Sequence, residues 1–65
     1  MKIDNKKLDI AIADACLTMN ELSRQSRVSI VTLTKVRKGT QEPTPKTVGK
    51  IAKALNVSVG EIIQK

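Results

Sequence analysis

Five helix-start signals fall within 65 residues, and such close punctuation leaves room only for short helices. Asp4 stands before a helical run and can accept from the free backbone N–H groups of a first turn. Thr18-Met19-Asn20-Glu21 is a capping box, in which hydroxyl and carboxylate each satisfy a backbone donor. Ser29 is a third cap, and Thr44 a fourth with Pro45 behind it, where proline costs no hydrogen bond. Ser58-Val59-Gly60-Glu61 is a second capping box. Gly39 and Asn56 are left-handed stop residues. The signals predict helices over 5–16, 19–26, 30–38, 45–55 and 59–64. No stretch alternates with period two for long enough to argue a strand, and 28–31 is too short.

The apolar residues follow helical spacing. Leu8, Ala11, Ile12 and Ala15 form a stripe on the first segment, with Ile10 off it at the edge. Leu22 anchors the second segment, where Ser23 and Ser26 are small enough for another helix to come close. Leu33 and Val36 face the core from the third, and Val48, Ile51, Ala52 and Leu55 from the fourth. Val59, Ile62 and Ile63 are the apolar residues of the fifth. Aliphatic side chains must build this core, because Phe, Tyr and Trp are absent. A chain of this length makes one domain, 1–65, and buries only about 60% of its unfolded surface.

Several functions lack their chemistry. There is no histidine and Cys16 is alone, which excludes an intrachain disulfide and an ordinary zinc site. The serines and acids form no catalytic set, no glycine-rich phosphate loop is present, and neither enzyme activity nor a cofactor is expected. No apolar run reaches the roughly 20 residues of a membrane span, and the N-terminus lacks a signal-peptide core. A free cysteine fits a reducing cytoplasm, the expected location.

Charge is distributed unevenly. Residues 1–23 hold three lysines against four acids, a net of −1. Residues 24–53 hold Arg24, Arg27, Lys35, Arg37, Lys38, Lys46, Lys50 and Lys53 against Glu42 alone, a net of +7. A basic middle on a nearly neutral frame points to a polyanionic partner.

Segments two and three are joined by Arg27-Val28-Ser29, the spacing of a helix-turn-helix. From Leu17 to Ile63 the chain resembles the Cro/phage-repressor (XRE-type) helix-turn-helix family. Leu17-Thr18, Glu21-Leu22, Val28-Ser29, Thr32-Leu33, Lys38-Gly39, Pro43, Thr47 and the tail from Lys50 to Leu55, Val57-Ser58 and Glu61-Ile62-Ile63 carry the match. The resemblance implies an all-α, five-helix lambda-repressor-like domain that binds double-stranded DNA as a two-fold dimer. Its second helix braces on the DNA backbone and its third enters the major groove.

Three departures from the family matter. Arg27 stands where glycine is frequent, so a left-handed backbone there would cost about 1–2 kcal/mol. Met19 replaces a DNA-contacting glutamine. Ile12 and Arg37 replace an arginine–glutamate pair, which leaves Arg37 for a phosphate or for Asp9 or Asp14. Cys16, also at a frequent glycine position, is expected to be small and partly buried.

Carried over residue by residue, the resemblance assigns base reading to Ser29, Ile30, Val31, Thr34 and Lys35. Lys35 can donate to guanine, while Ile30 and Val31 suit a thymine methyl. Thr18, Asn20, Arg27, Arg37, Lys38, Thr40 and Gln41 are expected on the DNA backbone, where contacts set affinity and register. Val59, Ile62, Ile63 and the loop before Pro43 are expected between the two copies of a homodimer on a palindromic operator. The function so implied is a transcriptional regulator, a repressor in the simplest mechanism. The alternative is an antitoxin-like module whose main partner is a toxin protein, which co-purification would reveal.

Overall fold

The computed structural model describes residues 1–64. Four α-helices and one 3-10 turn follow in order: α1 (Asn5–Ala15), α2 (Met19–Ser26), α3 (Ile30–Lys38), α4 (Pro45–Ala54) and the turn Val59–Glu61. Each α-helix starts as its cap dictates. Asp4, Thr18, Ser29 and Thr44 accept from the backbone N–H groups of Lys7, Glu21, Thr32 and Thr47. Left-handed residues close the first three helices, at Cys16 (φ 56°), Arg27 (φ 60°) and Gly39 (φ 78°), and Asn56 (φ 58°) follows α4. Cys16 is exposed rather than partly buried, because its left-handed position ends α1 at the surface.

The core is aliphatic. Leu8, Leu22, Leu33, Val36, Val48, Ile51 and Ile62 have almost no open surface. α2 packs against α4 and α3, α1 packs against α3, and the 3-10 turn rests on α4. Ile12 and Ala15 flank this core, half-buried, while Ile10 stands 61% exposed on the outside of α1.

The expected fifth helix is shorter than 59–64. Glu61 accepts from the Ser58 N–H at 2.8 Å and starts one turn, but the chain then extends. Ile63 pairs antiparallel with Ile3. The Asp4 N–H donates to the Ile62 carbonyl, and the Gln64 N–H to the Lys2 carbonyl, both at 2.9 Å. Pairing to the N-terminal arm thus replaces a second helical turn. The same closure draws Ile62 fully into the core, so it has no surface to offer a second copy; Val59 and Ile63 remain half-buried. The Met1 ammonium donates to the Pro43 carbonyl at 3.3 Å and ties the arm to the loop after α3.

Candidate nucleic-acid interface

The turn between α2 and α3 is held by two serines. The Ser23 hydroxyl donates to the Val28 carbonyl at 2.7 Å. The Ser26 hydroxyl, almost fully buried, accepts from the Val28 N–H at 3.2 Å. Both polar groups of Val28 are therefore satisfied while its side chain enters the core. Sequence reasoning assigned these serines only small size; their offsets of five and two residues before an apolar turn residue were the available signal. Arg27 adopts the left-handed backbone of the turn, and its side chain lines a groove with Gln25, Lys50 and Lys53. The structure thus gathers Arg27 with two cations of α4.

On α3, residues 32, 33 and 36 face the body and the remaining side chains are exposed. At 100° per residue, the direction opposite the buried stripe is occupied by Val31, Thr34, Lys35 and Lys38. Val31 is 59% exposed and Ile30, toward the flank of Arg37, is 38% exposed. The Thr34 hydroxyl donates to the Ile30 carbonyl at 2.8 Å, which turns its lone pairs outward. Ser29 accepts from the Thr32 N–H and donates to the Thr32 hydroxyl, so its proton serves the cap.

At the start of α2, the Thr18 N–H donates to Glu21 at 2.9 Å and the Glu21 N–H to Thr18 at 3.1 Å. The Thr18 backbone donor holds the Glu21 carboxyl below its ordinary pKa, aided by the Thr18 side chain and Arg24 against some desolvation. The N–H groups of Met19 and Asn20 lie in the first turn, where the helix offers no acceptor. Asn20, Lys38 and Gln41 are exposed. Thr40 shapes the loop instead of presenting a donor: its N–H and hydroxyl both donate to the Lys35 carbonyl, at 3.0 and 3.1 Å.

Two of the three departures from the family meet in one place. Ile12, Met19 and Arg37 line a common groove with Asp9, Ala13 and Leu17. Met19 packs against the core and does not stand free at the surface. Arg37 donates through Nε to Asp9 Oδ1 at 2.9 Å, both half-exposed. The α1–α3 ion pair is therefore present with its polarity reversed, acid on α1 and base on α3.

Among the described residues, no cluster of acids and cysteine could hold a metal ion, and no helix is long and apolar enough to cross a membrane. Neither a curated protein nor a solved structure matches the chain. A helix-turn-helix family model matches residues 17–62, which contain the braced turn and the exposed helix behind it. The chain belongs to the XRE-type helix-turn-helix family of DNA-binding regulators.

Proposed function

We propose that this protein is a sequence-specific double-stranded DNA-binding repressor that inserts α3 into the major groove. The observation that carries the reading is the open outer face of α3, where Val31, Thr34, Lys35 and Lys38 meet no other element. Each base-facing group has its own chemistry. Val31 and Ile30 suit a thymine methyl, Lys35 donates to guanine O6 or N7, and Thr34 accepts from an adenine or cytosine amino group. Ser29 fixes the start of the helix at the base edges. Thr18, Asn20, Arg27, Arg37, Lys38 and Gln41 supply the phosphate grip, and Thr40 holds the loop that carries Gln41. Two copies act on a palindromic operator in the cytoplasm, with half-sites about one helical turn apart. Repression follows from occupying the site against polymerase.

Selection from a pool of random duplexes, followed by salt titration of the winners, tests the reading. A palindrome should be recovered. With three cations per protomer on phosphate, the log–log salt slope should be about −5 for a dimer. Enrichment of no sequence would overturn the proposal.

A further inference from the structure

The outside of α1 has the pattern of a surface that binds a copy of itself. Ile10 is the most exposed large aliphatic residue of the chain. It borders a groove of about 270 Å³ lined by Lys7, Ala11, Asp14, Val57 and Glu61. Along the helix, residues 7, 10, 11 and 14 recur at i, i+3, i+4 and i+7 and form one stripe. The stripe is cationic at its N-terminal end, apolar and small in the middle, and anionic at its C-terminal end.

That order is self-complementary under a two-fold rotation. Lys7 and Asp14 are about 10.5 Å apart along one helix, too far to pair within it. In an antiparallel pair of α1 helices centred between Ile10 and Ala11, Lys7 meets Asp14 of the second copy, and the reverse pair forms by symmetry. Ala11, only 6% exposed, forms the floor of the groove, and Ile10 of each copy fills the groove of the other. We infer that the contact between two copies of this protein is an antiparallel α1–α1 packing with Ile10 at its centre and Lys7–Asp14 pairs on either side.

The inference deepens the homodimer reading above and moves its centre away from the C-terminal apolar residues, of which Ile62 is buried. Arg37–Asp9 fastens α3 to the opposite flank of α1, so the pairing leaves the outer face of α3 open. Two helical turns make a contact at the low end of interface sizes, below roughly 1,200 Å², so association is weak in free solution. Two half-sites on one duplex raise the effective concentration and make it productive.

Sedimentation equilibrium without DNA, at protein concentrations up to about 1 mM and low salt, tests the contact apart from DNA binding. Wild type should show concentration-dependent dimerisation. Ile10→Lys should abolish it, and Asp14→Lys, which sets lysine against lysine twice, should weaken it by about tenfold or more. The double variant Lys7→Asp, Asp14→Lys should restore it to within about threefold of wild type, because both pairs re-form with reversed polarity. These positions are on the surface, and both charge changes suit the α1 dipole, so circular dichroism should report folded chains throughout. A wild type that stays monomeric, or a dimer indifferent to these substitutions, overturns the inference; neither result alters whether the chain binds DNA.

Discussion

At the scale of single residues, the two lysines of α3 separate the two jobs of a DNA contact. In the proposed complex Lys35 would lie within reach of base edges, and Lys38 at the end of the helix would face phosphate. Lys35→Ala should change the base preferred at one operator position by about 1–3 kcal/mol. Lys38→Ala should weaken all sequences evenly and flatten the salt slope of the dimer by about 2, since each protomer loses one phosphate contact. Competition binding against single-position operator variants distinguishes them, and even losses from both would mean that the reading face is misplaced. Arg27 presents a conflict between backbone and side chain. Its left-handed φ of 60° carries about 1–2 kcal/mol of strain that glycine would relieve, partly offset by the larger unfolded-state entropy of glycine. Arg27→Gly should therefore raise the melting midpoint by about 2–4 °C, from a net gain of about 0.5 kcal/mol. The same change should weaken DNA binding through the lost cation. The strain was legible in the sequence, because an arginine stood at a turn that calls for glycine; the neighbourhood of Lys50 and Lys53 was not, since only the packing of α2 on α4 creates it.

At the scale of elements, helix starts were legible and helix surroundings were not. Cap residues act on donors within three positions of themselves, so sequence alone reveals them. Ser23 and Ser26 bond across a turn whose path depends on Arg27 and Val28, and their clamp appears only in the folded chain. Ser26→Ala would leave the buried Val28 N–H without its partner and should cost about 1–3 kcal/mol, measurable by urea unfolding. The capping box of α2 adds a pH response. Glu21 titrates below its ordinary value in the folded chain, so folding favours its charged form. Its contribution is complete above the unfolded-state pKa and disappears as pH falls through the lower folded-state value. Unfolding followed from neutral to acidic pH should show this loss in the wild type and not in Glu21→Gln. The second capping box misled for a related reason: Ser58 and Glu61 satisfy one turn, but nothing local announces that Ile63 will pair with Ile3.

At the scale of the whole molecule, the four helices and their aliphatic faces could be read from periodicity, whereas the closure of the fold could not. Ile3 was visible only as the residue before a cap, with Leu8 four places into the helix; that is the spacing of a hydrophobic staple, and both are buried. Its pairing with Ile63 joins residues sixty positions apart, a relation that no window of sequence contains. Distance in sequence also hides the groove shared by Ile12, Met19 and Arg37, where two of the departures from the family lie together. The meeting of the two arms has a consequence for connectivity. Because Gln64 and Lys2 are already hydrogen-bonded neighbours, a few glycines would join the backbone into a ring without displacing a helix. A ring removes loop-closure entropy from the unfolded ensemble, so the cyclised chain should melt several degrees above the linear one. The exposed face of α3, with Val31, Thr34, Lys35 and Lys38, lies outside the groove that Val36 shares with the two arms, so the cyclised chain should select the same operator.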